Sequence, residues 1–129
     1  MGPVIRLLIV DDNPMIRFGL AQIFTTADGF EVAGEAVDGE EAVRQARALR
    51  PDVVLMDVSM PKLGGIEATR QILAADPGIR VLILSALDGQ SQIDRAHAAG
   101  AVGYLHKSVE PEALIDAVRT AYSTGLPPG

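Results

Sequence analysis

The chain contains no cysteine and no tryptophan. Without cysteine there is no disulfide framework, no thiolate zinc site and no cysteine nucleophile. The absence also fits a reducing compartment, so a cytoplasmic location is expected. Aromatic residues make up only 4%, so the core has to be aliphatic. Cations are the scarcer charge: 11 Lys+Arg against 17 Asp+Glu give a net charge of −6. Such a surface repels phosphate backbones, which excludes tight nucleic-acid binding by this stretch itself. No apolar run reaches the length of a membrane span, so no membrane association is expected. Met1-Gly2-Pro3-Val4 leaves too little room before the first charge for a signal-peptide core. What the chain does have is apolar content, 48% of 129 residues. That suits one domain with a substantial core and argues against disorder.

Five short apolar runs alternate with segments of helical period. Val4 to Val10 is β-branched and nearly all apolar, as in a strand covered on both faces. Asn13 can cap a helix and Pro14 suits its first turn; Met15 to Thr26 then places Ile16, Leu20, Ile23 and Phe24 on one face. Phe30 to Glu35 is a second strand, less apolar and so nearer an edge. Gly39 to Leu49 is a helix with Ala42, Val43, Ala46 and Leu49 inward, stopped by Arg50-Pro51. Asp52 to Met56 reads as a buried third strand ending on Asp57, followed by Gly64-Gly65 and a helix from Ile66 to Ala75. Arg80 to Leu84 is the fourth strand, ending on Ser85, and Ser91 to Ala99 is a short polar helix. Val102 to Leu105 is the fifth strand, followed by His106-Lys107 and a last helix from Glu112 to Tyr122. The alternation predicts an α/β (βα)₅ fold, a doubly wound parallel sheet with helices on both faces. Residues 1–122 form the expected domain, and 123–129 read as the start of a linker.

In such sheets ligands bind beyond the carboxyl ends of the strands. Strand one ends in Asp11-Asp12, strand three in Asp57, strand four in Ser85 and strand five in Lys107; Glu35-Ala36, closing strand two, is left out of the site. If strands one and three are neighbours, three carboxylates converge. Close anions raise each other's pKa values unless a cation intervenes. Hard oxygen ligands select Mg²⁺, Mn²⁺ or Ca²⁺; few protein ligands, several waters and a substrate phosphate suit Mg²⁺, with Mn²⁺ as a substitute. Lys107 adds a fixed positive charge and Ser85 a hydroxyl donor. This is a phosphoryl-transfer set, in which catalysis is mostly positioning and charge stabilisation. A carboxylate can be the nucleophile, giving an aspartyl-phosphate, and Asp57, aimed from a central strand, is the best placed.

Each residue also has a plainer reading. Asp11-Asp12 suit helix capping, Asp57 a solvated loop acid, Ser85 a strand-end hydroxyl and Lys107 a surface lysine. Tyr104 suits sheet surface as well as function, and His97 and His106, without partners at ligand spacing, read as ordinary residues. Met15, Met56 and Met60 read as packing, and Gly64-Gly65 as loop flexibility outside any phosphate-loop pattern.

Taken in order, Val10-Asp11-Asp12, Val54-Leu55-Met56-Asp57-Val58-Ser59-Met60-Pro61 with Gly64-Gly65, Leu84-Ser85-Ala86 and Gly103-Tyr104-Leu105-His106-Lys107 resemble the receiver domain of bacterial two-component response regulators. The likeness covers about residues 4 to 122. It implies the flavodoxin-like strand order 2-1-3-4-5. It implies that Asp57 takes a phosphoryl group from a sensor histidine kinase, and that the domain is a phospho-acceptor and not an enzyme. It further implies that Asp12, Asp57 and the main-chain carbonyl of Ser59 ligate Mg²⁺, with Asp11 bonding through water. Ser85 and Tyr104 form a switch pair, and Lys107 bonds the phosphoryl group. Where many receivers have proline after the lysine, this chain has Ser108, so no cis bond is predicted there.

Gly103 to Ser108, with Val10 to Pro14 and Arg17-Phe18-Gly19-Leu20, is more like the NarL/LuxR type. That resemblance implies a helix-turn-helix DNA-binding domain after the linker. It also implies an output face formed by the fourth helix, fifth strand and last helix, and pairing of two copies on activation. Leu114, Ile115, Val118 and Tyr122 offer apolar surface for that pairing. Two other functions compete. An Mg²⁺-dependent phosphohydrolase would need an acid where Ser59 stands, and a cap domain. A stand-alone receiver acting by protein contact, phosphorylated or not, is the other. Ser59 and Leu87 flank the site and are expected to tune hydrolysis.

Overall fold

The computed structural model describes residues 3–60, 62–86 and 89–124. Five strands and five helices alternate: β1 Ile5–Val10, α1 Pro14–Thr26, β2 Phe30–Ala36, α2 Gly39–Leu49, β3 Val53–Asp57, α3 Gly65–Ala75, β4 Arg80–Ser85, α4 Gln90–Ala98, β5 Gly103–His106 and α5 Pro111–Thr124. All strand pairs are parallel, in the order β2-β1-β3-β4-β5. The expected fold and strand order are both present. The less apolar β2 is an edge strand, and it carries an irregularity opposite Leu7/Leu8, a feature common at sheet edges.

The near-continuous apolar runs make sense once both faces are covered. Leu8, Val10, Val54, Met56, Val81 and Ile83 belong to one buried cluster with Ala42, Ala46, Ala68, Ile72 and Ala96, from α2, α3 and α4. Leu7, Ile9, Val53, Leu55, Leu82 and Leu84 belong to the other, with Phe24 of α1 and Leu114 and Val118 of α5. Odd and even positions of one strand therefore feed opposite layers, as a period of two requires.

Local signals fix the helix ends. The Asn13 side chain accepts from the N–H groups of Met15 and Ile16, at 2.9 and 3.3 Å, with Pro14 in the first turn. Arg50 caps α2 in the left-handed region at φ 50°. Several boundaries differ from expectation. Asp52 lies before β3, where its carboxylate accepts from Arg6 N–H at 2.9 Å. Val102 is exposed and precedes β5, and α5 runs past Tyr122 to Thr124. Leu114 and Val118 are spent on the core, while Ile115 and Tyr122 are partly buried against it. Met56 is buried and Met60 packs on the core, but Met15 is 78% exposed and packs nothing. Of the linker expected over residues 123–129, Ser123 and Thr124 instead belong to α5, and the rest lies outside the described residues, as do Pro61 and Leu87.

Candidate functional site

The chain leaves β1 outward to β2 and returns to β3, so β1 and β3 flank the point where strand order reverses. Val10 pairs with Met56, which sets Asp11-Asp12 beside Asp57. One carboxylate oxygen from each of Asp11, Asp12 and Asp57 lies within 4.8 Å of the others. Among the described residues this is the one such cluster of possible metal ligands. Asp11 and Asp57 are buried, at 1% and 4% exposure, while Asp12 faces solvent.

Each group is held. Asp57 ends a strand with no exposed residue. The Asp11 backbone N–H donates to the Ala36 carbonyl at 3.1 Å, and its carboxylate accepts from Asn13 N–H at 2.9 Å. The Lys107 ammonium donates to Asp11 Oδ2 at 2.8 Å and Asp57 Oδ1 at 3.1 Å. Its stem lines an apolar cavity of about 130 Å³ with Ile16, Leu20, Leu84 and Leu114, so apolar packing directs the charged head to the acids. Lys107 N–H donates to the Ser85 carbonyl at 2.8 Å, joining the ends of β4 and β5 above the sheet.

Burial pushes the Asp57 carboxyl up from its ordinary value; the hydrogen bond from Lys107 offsets part of this, and the neighbouring charges of Asp11 and Asp12 add to the rise. Burial pulls the Lys107 ammonium down, but its hydrogen bonds to Asp11 and Asp57 outweigh that, and the net shift is upward. Three acids facing one ammonium form an under-neutralised pocket of hard oxygen donors. Those are the donors a divalent cation such as Mg²⁺ takes.

Ser85 is buried at the end of β4, and Tyr104 of β5 packs against the α2–α3–α4 cluster. Ile83 pairs with Tyr104 and Ser85 with His106, so by the period of two Ser85 and Tyr104 point to the same side of the sheet. Ser59 is exposed just after β3. The structure thus brings Asp11, Asp12, Asp57 and Lys107 together, with Ser85 joined to Lys107 through the backbone.

Three features escape the sequence. Gly65 is not a flexible spacer: it is buried, its N–H donates to the Val58 carbonyl at 3.0 Å, and a methyl there would overlap the Asp57 carbonyl. Arg17 reaches back from α1 and donates to the Asp11 carbonyl at 2.8 Å, while its Nε donates to Glu35 at 3.3 Å. Glu35, left out of the site, thereby supports it through Arg17. His106 belongs to no metal-ligand cluster among the described residues, but it is hydrogen-bonded. Its ring nitrogens contact Ser108 Oγ at 2.8 Å and the Ala86 carbonyl at 3.1 Å. Spacing from Asn13 offers a faint signal for Arg17, one turn on; nothing local announces the other two.

Residues 7–119 match the family model of the response regulator receiver domain. The chain belongs to this family. Among curated relatives, this receiver is 40% identical over 120 residues to the response regulator GacA of Pseudomonas viridiflava, covering 93% of this chain and 56% of that protein. It is 42% identical over 117 residues to the transcriptional regulatory protein YxjL of Bacillus subtilis, covering 91% and 54%. The receiver therefore spans about half the length of the curated relatives it matches. A LuxR-family two-component response regulator from Aurantimonas sp. superposes with a TM-score of 0.90 at 38% identity, over 94% of this chain and 86% of that one. The signal receiver domain of the putative regulator NarL from Mycobacterium tuberculosis superposes at 0.91 and 30% identity, over 95% and 98%. These relatives support the NarL/LuxR type. Receivers are signalling domains of two-component systems, and their relatives here are response and transcription regulators. No helix among the described residues is long and apolar enough to cross a membrane. The Lys107–Ser108 peptide is trans.

Proposed function

We propose that this receiver is a phosphorylation-driven switch in which Asp57 accepts a phosphoryl group from a sensor histidine kinase. The observation that carries the reading is the convergence of Asp11, Asp12 and Asp57 within 4.8 Å, with the Lys107 ammonium bonded to two of them. A carboxylate oxygen of Asp57 attacks phosphorus; the new P–O bond forms as the P–N bond to the donor imidazole breaks, and the imidazole leaves. Asp12, Asp57 and the main-chain carbonyl of Ser59 would hold Mg²⁺ directly, with Asp11 acting through water. When bound, Mg²⁺ supplies the charge that lets an anionic acceptor meet an anionic phosphoryl group. Lys107 is already aimed at the acceptor and would follow the phosphoryl oxygens.

Ser85, on the neighbouring strand, would then donate to the phosphoryl group, and Tyr104, on the same side of the sheet, would turn into the space left. Among the described residues of α4 only Ala96 is buried, and no side chain caps its first turn. Few apolar anchors make α4 the element most readily shifted. The α4–β5–α5 face would carry the signal to a helix-turn-helix domain joined beyond α5. The alignments cover only 56% and 54% of two curated relatives, which supports that reading.

Beryllofluoride with Mg²⁺, a mimic of the phosphoryl group, tests this. The expected result is shifted NMR resonances at Ser85 and Tyr104 in the wild type and none in Asp57→Asn. An unchanged wild-type spectrum under saturating ligand would overturn the reading.

A further inference from the structure

The last backbone rung between β4 and β5 is the bond from Lys107 N–H to the Ser85 carbonyl. Beyond it the backbone of β4 leaves the sheet. A side chain makes a further contact there: His106 Nε2 lies 3.1 Å from the Ala86 carbonyl. That oxygen can only accept, so Nε2 carries the proton. The other nitrogen agrees, because the Ser108 backbone N–H donates to Nδ1 at 3.1 Å and Ser108 Oγ lies 2.8 Å from it. Both ring nitrogens are thus committed, and the imidazole has one defined tautomer. The ring is exposed, so core packing does not demand a histidine here.

Its neighbours give the contact its meaning. Ala86 follows Ser85, and His106 precedes Lys107. In the sheet, β4 lies between β3, which carries Asp57, and β5, which carries His106. A movement of Ser85 toward a group on Asp57 would carry it away from β5 and draw the Ala86 carbonyl off the imidazole. We propose that His106 is a positioning residue, a latch that holds Ala86 toward β5 and so opposes the Ser85 movement on phosphorylation. This rests on the acceptor reading of Asp57. The resting geometry is then set partly by a bond that switching must break, and the chain's response is tuned at a residue that touches neither metal nor phosphoryl group.

The test uses the whole chain with Mg²⁺ and beryllofluoride as the probe. His106→Phe keeps a ring but removes both nitrogens, and His106→Ala repeats the loss without the ring. Losing one neutral hydrogen bond from the resting state alone should tighten beryllofluoride binding roughly threefold to tenfold. His106→Gln, whose amide can donate to the Ala86 carbonyl, should stay near wild type. Long-range ¹H–¹⁵N spectra of the ring should show the Nε2–H tautomer in the unliganded protein and a change on adding the probe. Equal or weaker binding by both His106→Phe and His106→Ala, or an Nδ1–H tautomer, would overturn the latch while leaving the acceptor reading intact. Failure of the wild type to bind the probe would overturn the acceptor reading and the latch with it.

Discussion

Asp57 is buried, faces two further carboxylates, and is opposed by one ammonium that it shares with Asp11. Burial, the largest influence, and the neighbouring acids raise its pKa, and Lys107 recovers only part. Relative to the unfolded chain, the folded state therefore shifts the balance toward the protonated acid. Its contribution to stability is present below the ordinary carboxylate range and is lost as pH rises through the raised value. Without divalent ions, Asp57→Asn should accordingly melt higher than wild type at neutral pH, and the difference should vanish in acid. Added Mg²⁺ should raise the wild-type melting temperature more than that of the variant, since a ligand bound to the native state stabilises it. Melting curves across pH check this, and a lower-melting Asp57→Asn at neutral pH would contradict it. Asp11, Asp12, Asp57 and Lys107 were legible in the sequence because each stands at the end of an apolar strand, where α/β sheets place ligands. Arg17 and Glu35 were not, because their pairing depends on how α1 lies across β2.

At the scale of elements, the strand ends and helix starts do the positioning. The turn from β1 into α1 is fixed twice, by Asn13 on the helix N–H groups and by Asp11 on Asn13 N–H. After β3 the constraint is steric. Gly65 opens α3 directly against the Asp57 carbonyl, and any side chain would push the two apart. Gly65→Ala should cost about 1–3 kcal/mol in urea unfolding, the usual range for overpacking, and should slow phosphoryl labelling of Asp57 by a small donor. Unchanged stability and labelling would show that the loop relaxes freely. Sequence shows Gly64-Gly65 as a break and cannot tell flexibility from close approach, because a glycine carries no pattern of its own. The strands and helices were legible for the opposite reason. Runs such as Val53–Met56 are apolar at every position, which fits only a strand covered on both sides. The errors fell at boundaries, as with Asp52 and Val102, where a polar cap or an exposed valine replaces the first paired residue.

At the scale of the molecule, two aliphatic layers hold a five-stranded sheet rigid beneath a cluster of charges that the fold leaves under-neutralised. Helix α4, of which only Ala96 is buried, lies beside the strands that carry Ser85 and Tyr104. A change of charge at Asp57 thus meets a stiff sheet on one side and a lightly held helix on the other, which is how a local event is given a direction. The most direct measurement is intact-mass analysis after incubation with acetyl phosphate, with and without Mg²⁺. One phosphoryl group per wild-type chain is expected, dependent on Mg²⁺ and absent in Asp57→Asn. Labelling that persists in Asp57→Asn, or no labelling of the wild type, would contradict the acceptor reading of Asp57.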